Sequence, residues 1–477
     1  MKKHLLYFLL LTIVWMPSYV LGQKASMVIL SDTGINRLIY WPLDGEHMNF
    51  YTLADTADKS SDTAFHIQYP INKPVILNIL TDTRQYFKIY ATAGCSDTIC
   101  LKDNQLQFRG TNKQYNQYLS SFKNLEAYCE EAGSRNHELR SVDCLDIFNQ
   151  KIEDKRVEAT GILLQEKLSP DFVKQQEMLI DCMFTHMFFN KVLSLYGQQK
   201  LNKEWHMAIK EKLQFDFQKE ELFCYPEYRR MLDTSIQIDY FIINGNDPQK
   251  IGRDNIIKFL FNEYQKRLTG KSLEFAWANF IYDDVFQQNY SKDIPMLYEQ
   301  FCSYYPESKY KHILEPGVEE TKRFHNKPLT DNNITIYPSD TTHMTIEDAV
   351  KPFKGKIVYV DLWATWCGPC KKMFTYGKAM KKATKDMDII YLYISIDRQE
   401  EHDKWEKAIY FYNLEGYHIH AGQNLAQSFY ESLGNKGMIT IPQFVIIGKD
   451  GKVAIEKAAA PNELEKVITQ LKEVSHE

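Results

Sequence analysis

Short apolar runs recur between turn signals over residues 23–112: Ser26–Leu30, Arg37–Trp41, Ala64–Ile67, Val75–Leu80, Tyr86–Ala91 and Gln105–Arg109. Asp32-Thr33-Gly34, Asp44-Gly45 and Ala93-Gly94 separate them. Strands at this spacing predict a small β-sandwich-like domain. Over residues 113–325 the texture changes. Gly and Pro thin out and apolar residues return at helical spacing, as in Met178, Cys182, Thr185, Phe188 and Phe189, or Ile257, Phe261, Tyr264 and Leu268. Pro170, Pro226, Pro248, Pro295 and Pro306 punctuate the stretch. It reads as an all-α middle domain, its aromatic stripes as core.

The third region, residues 326–477, alternates. A polar linker with Pro328, Pro338 and Thr330-Asp331-Asn332-Asn333 leads in. Strands are predicted over Ile357–Trp363, Ile389–Ile396, Tyr417–His420, Gln443–Ile447 and Val453–Glu456. Helices are predicted over Pro369–Lys385, Glu401–Tyr412, Asn424–Leu433 and Asn462–Leu471. Strands alternating with helices make an α/β domain. Gly448-Lys449-Asp450-Gly451 closes a hairpin, so the sheet is mixed.

At the other end, Lys2-Lys3-His4 precede an apolar run from Leu5 to Met16 broken only by Thr12, and Val20-Leu21-Gly22 follow. Residues 1–22 have the pattern of a secretory signal peptide, too short for a membrane span. No Cys lies at the expected cut to carry a lipid. The expectation is an exported protein, periplasmic in location, with no stable membrane span. Composition changes this little. A net charge of −5 with near-equal acids and bases argues against nucleic acid as a partner. Nine Cys, an odd number, leave at least one thiol unpaired or transiently paired. Cys95 and Cys100 bracket a polar Ser96-Asp97-Thr98 turn and are a candidate structural disulfide.

Only Cys367 and Cys370 form a C-x-x-C. The apolar strand ending at Trp363 runs into Trp366-Cys367-Gly368-Pro369-Cys370, and a helix follows at once. Disulfide exchange needs a thiolate, and the free N–H groups and dipole of a helix start favour one. That places Cys367 as the nucleophile. Cys370, one turn further in, is positioned to resolve a mixed disulfide. Pro369 suits the first helical turn, where its missing N–H is not needed. A lone C-x-x-C is also half a zinc site, but no second C-x-x-C or C-x-x-H accompanies it, so no metal or cofactor is implied. His418 and His420 share one side of a strand and are read as a solvated face rather than as ligands.

This stretch closely resembles thioredoxin, and the resemblance reaches past the motif. Ile441-Pro442, just before a strand, matches the family's cis-proline, which implies that Ile441 and Pro442 face the thiols and pair with substrate. Asp361 matches its buried aspartate, which implies proton transfer at the second cysteine. Trp363 and Trp366 match its flanking tryptophans, and Trp366, Gly368 and Pro369 are the implied substrate contacts. The long span between Cys367 and Pro442, together with the export signal, resembles the TlpA/ResA-like branch of extracytoplasmic thiol–disulfide oxidoreductases. The chain departs from the family at four places: Met373 and Thr375 replace a glutamate and a proline, Tyr393 replaces a strand lysine, and Gln443 replaces a threonine.

The resemblance covers about Ile334–Leu471 and implies a reductase of protein disulfides supplied with electrons by a membrane reductant. Gly368 and Pro369 point to a reductant because they offer no side chain to stabilise the Cys367 thiolate further. Thioredoxin lies near roughly −270 mV, whereas the oxidant DsbA lies near roughly −120 mV. The alternative is a partner-binding protein whose thioredoxin domain docks and is weakly active.

Overall fold

The structure is a computed structural model that describes residues 24–31, 34–43, 54–60, 63–102, 105–131, 137–165, 167–215, 218–246, 256–337, 345–432 and 439–476. The expected signal peptide, the Asp32-Thr33 and Asp44-Gly45 turns, Pro248, Pro338 and Leu433 lie outside the described residues. Two compact units divide the chain, Met1–Asn246 and Asp247–Glu477.

The first unit carries two four-stranded sheets. Its strands are β1 (Lys24–Ser31), β2 (Arg37–Pro42), β3 (Asp55–Asp58), β4 (Ala64–Pro70), β5 (Val75–Thr81), β6 (Tyr86–Ala91), β7 (Ser96–Lys102) and β8 (Gln105–Gly110). The orders are β4-β1-β7-β8 and β3-β2-β5-β6. Alternation sends every second residue of β1 inward, so Ala25, Met27 and Ile29 share one core with Leu38, Phe65, Leu77, Ile79 and Ile89 from both sheets. Helices α1 (Lys113–Glu131), α2 (Leu145–Gln165), α3 (Pro170–Gly197), α4 (Lys203–Lys212) and α5 (Pro226–Gln237) follow.

The segment read as a turn between Cys95 and Cys100 is the strand β7, paired parallel with β1 and antiparallel with β8. Both thiols are free, with Cys95 buried. The candidate disulfide is therefore corrected. Five residues of extended chain separate two Cα atoms by roughly 16 Å and put their side chains on opposite faces, far outside the roughly 4.4–6.8 Å that a disulfide tolerates.

The second unit begins with α6 (Ile256–Arg267), α7 (Gly270–Phe286), α8 (Ile294–Tyr304) and α9 (Lys311–Asn326). Its sheet contains β9 (Ile334–Ile336), β10 (Ile357–Trp363), β11 (Ile389–Ser395), β12 (Gly416–His420), β13 (Gln443–Ile447) and β14 (Val453–Ile455), ordered β14-β13-β10-β11-β12-β9. The sheet's helices are α10 (Ile346–Val350), α11 (Gly368–Ala383), α12 (His402–Phe411), α13 (Gln423–Ser432) and α14 (Leu464–His476). Strands β9 to β12 run parallel, whereas β13 is antiparallel to β10 and β14 to β13. The sheet is mixed. Every residue of β10 is buried, as expected for a central strand covered on both faces.

His418 and His420 are fully buried, which corrects their reading as a solvated face. Strand β9 covers the edge of β12, His418 stacks on Tyr393 and His420 on Trp405. Each Nε2–H finds a backbone carbonyl, that of Leu414 for His418 and of Asp397 for His420.

Candidate active site

Strand β10 ends at Trp363, and the chain turns through Ala364-Thr365-Trp366 into α11. Cys367 is the N-cap residue, with extended backbone angles (φ −87°, ψ 95°), and its Sγ accepts the Cys370 N–H at 3.1 Å. Pro369 occupies the first turn, where an N–H would have no helical partner. Cys367 and Cys370 are joined in a disulfide with Cα atoms 5.3 Å apart. Cys367 is 4% exposed and Cys370 is 0% exposed, while Trp366 is 57% exposed. Gly368 and Pro369 are also exposed, so an open lip surrounds a nearly buried pair. The Ile441–Pro442 peptide is cis. Ile441 packs against the apolar cluster that contains both cysteines, Trp363, Tyr393 and Trp405.

Asp361 lies on β10, opposite Tyr393 of β11 and Phe444 of β13. It is buried, and its Oδ1 has no hydrogen-bond partner. Burial pushes its carboxyl up to about 8, against the opposing pull of Lys381. Lys381 reaches back from α11 to donate to the Glu415 carbonyl, its Nζ 5.2 Å and 5.3 Å from the ring centres of Tyr391 and Tyr393. Burial lowers Lys381 to about 8. A cavity of about 10 Å³, lined in part by Asp361, Met373, Phe374 and Tyr393, adjoins the carboxyl; by this measure it is about the size of one water. An acid that titrates near neutrality on the strand leading to a thiol pair has the properties of a proton carrier.

Lys371 follows Cys370, and the sequence assigns it no place in the site. Its side chain is buried, and its Nζ donates to the backbone carbonyls of Gln287 and Gln288 at 2.9 Å and 2.8 Å. Those carbonyls lie at the C-terminal end of α7, the negative end of its dipole. Gln288 and Tyr290 both adopt positive φ, 53° and 52°, to make this turn. The Tyr290 hydroxyl lies 2.8 Å from that of Tyr412 and donates to Glu320 at 2.7 Å, and its ring stacks on Phe324. Tyr290 and Phe324 belong to the same apolar cluster as the cysteines. Phe324 of α9 and Tyr290 of the loop after α7 thus furnish part of the packing of the cluster that holds the thiol pair. A Lys after a Cys reads as solvated, and only the tertiary contact reveals otherwise.

The Redoxin family model matches residues 333–471. The C-terminal region is a thioredoxin-like domain with a mixed sheet, similar to the Redoxin family. Among its relatives are the thiol–disulfide oxidoreductases ResA of Bacillus thuringiensis subsp. konkukian and of Bacillus cereus, each 30% identical over 108 residues, 22% of this chain and 57% of the relative. The chain thus spans a little over half the length of these curated relatives. A solved thioredoxin domain of a thiol–disulfide oxidoreductase from Bacteroides vulgatus is 26% identical, with a TM-score of 0.21 over 26% of this chain and 84% of the other. Among the described residues, no helix is long and apolar enough to cross a membrane.

Proposed function

We propose that this chain is an exported thiol–disulfide oxidoreductase that reduces protein disulfides by dithiol exchange at Cys367 and Cys370. The reading rests chiefly on one observation: a paired Cys367 and Cys370 at the start of a helix, with a buried ionisable Asp361 on the strand that leads to it. The Cys367 thiolate attacks a substrate disulfide, forms a mixed disulfide and releases one substrate thiolate. Asp361 takes the proton of Cys370. The Cys370 thiolate then attacks the Cys367 sulfur and releases the second substrate sulfur as a thiolate, which takes up the proton held by Asp361, while the first substrate thiolate is protonated from solvent. Two electrons and two protons pass to the substrate, and Cys367–Cys370 is left oxidised.

The backbone beside Pro442, with Trp366, Gly368 and Pro369 at the lip, receives an extended substrate segment. A second thiol–disulfide exchange with a membrane reductant restores the dithiol. The test is reduction of insulin with dithiothreitol as electron source. The wild-type chain is expected to accelerate it and Cys367→Ser to abolish the acceleration. A wild-type protein without activity would instead favour a docking role.

A further inference from the structure

Thr365 stands two residues before Cys367, in the turn that presents it. Its backbone N–H lies 3.1 Å and 2.9 Å from the two carboxylate oxygens of Asp397, and its hydroxyl donates to Oδ1 at 2.9 Å. Asp397 lies just beyond β11 and is 4% exposed. Its Oδ2 also accepts the Ser395 hydroxyl at 2.6 Å, and Ser395 Oγ accepts the Asp397 N–H at 3.0 Å. His420 Nε2–H donates to its carbonyl at 3.0 Å, and His420 Nδ1 lies 3.1 Å from His402 Nδ1. Every side-chain partner of Asp397 is a donor, so its oxygens act only as acceptors.

A buried carboxylate is expensive to desolvate, and apolar residues of similar volume commonly serve stability as well or better. What Asp397 does that they could not is fasten the one loop that carries the nucleophile. The Ile396 N–H donates to the Trp363 carbonyl at 3.0 Å, tying the ends of β10 and β11 together beside it. The Cys367 N–H donates to the Ala364 carbonyl at 3.0 Å, so the turn is held from both sides. The field of Asp397 also reaches the redox helix, where it favours the protonated form of Lys371 next to Cys370.

We propose that Asp397 is a positioning residue for the thiol pair: through Thr365 it holds the turn that presents Cys367, and its negative charge opposes the Cys367 thiolate, which keeps the pair reducing. This rests on the dithiol-exchange reading. A thiolate disfavoured in the reduced form makes a pair a stronger reductant. Two residues of chain place Asp397 within roughly 7–10 Å of Cys367.

The test uses the full chain. Iodoacetamide alkylation of Cys367 against pH and a glutathione redox titration are measured for the wild type, Asp397→Asn, Thr365→Val and Thr365→Ser. Asp397→Asn preserves shape and removes the charge. It is expected to raise the Cys367 thiolate fraction by about tenfold at pH well below its titration, and the midpoint by about 30 mV at pH above it, where the tenfold stabilisation of the reduced form is fully expressed. Thr365→Val is expected to slow mixed-disulfide formation about threefold, and Thr365→Ser to restore it. A titration and midpoint of Asp397→Asn that coincide with the wild type overturn the role of the charge. If Asp397→Asn does not fold, a Thr365→Val protein as fast as the wild type overturns the proposal. A wild-type chain with no reversible Cys367–Cys370 couple would overturn the exchange reading itself.

Discussion

Asp361→Asn should stabilise the protein at neutral pH, by an amount that grows as pH rises. The carboxyl is held at about 8, against an ordinary value of 3.8. Because its folded value is raised, the folded chain keeps a proton that the unfolded chain has already released. The wild type therefore has its full stability below about pH 4 and loses it as pH climbs towards about 8. At pH 7 some three pH units of that window have been crossed, which corresponds to roughly 4 kcal/mol. An Asn escapes this loss but buries amide donors where Oδ1 already lacks a partner, at about 1–2 kcal/mol. The net expectation is about 2–3 kcal/mol at pH 7, or about 2–3 °C in melting temperature for a 477-residue chain, and nothing or a slight destabilisation at pH 4. Calorimetric scans from pH 4 to 8 measure it. A difference that is constant across that range, or a destabilisation that deepens with pH, would refute the reasoning. In the proposed mechanism the same variant lacks the proton acceptor for Cys370, so its release of mixed disulfides should slow even as it becomes harder to unfold.

Cys370→Ser should accumulate mixed disulfides with substrate proteins, visible as higher-mass bands on non-reducing gels; labelling of Cys370 ahead of Cys367 in the reduced wild type at neutral pH would contradict the assignment. Lys371→Met removes the charged donor shared by the Gln287 and Gln288 carbonyls, and should lower stability in urea by about 1–2 kcal/mol. Gly416 has φ +130°, and a Cβ there would stand 2.6 Å from the Tyr391 carbonyl oxygen. Gly416→Ala should therefore destabilise the protein by at least about 2 kcal/mol in the same urea titration, since both strain and a backbone clash must be absorbed.

Where local pattern and tertiary role agree, the sequence is legible. Strand β10 is a run of apolar residues because both of its faces are covered, and the start of α11 is marked by Gly368-Pro369. Strand β7 was missed because its inward positions are Asp97, Ile99 and Leu101, and Asp97 breaks the apolar alternation. Asp97 is buried there to accept the backbone and side-chain N–H groups of Asn112, a partner that no local rule supplies. His418 and His420 misread for a related reason. An imidazole on a strand looks solvated until aromatic neighbours from β11 and α12 cover it. In the site, Cys367, Cys370, Asp361 and Pro442 follow from motif and resemblance. Lys371 and Asp397 do not, because what distinguishes them are contacts to Gln287, Gln288 and Thr365 made only in the folded chain.

In the proposed function Cys367 and Cys370 form a reducing couple, and the most direct test is the midpoint of the full chain in a glutathione redox titration. A two-electron couple near that of thioredoxin, at roughly −270 mV, is the predicted result; a midpoint near the roughly −120 mV of DsbA, or no reversible couple at all, would contradict the account.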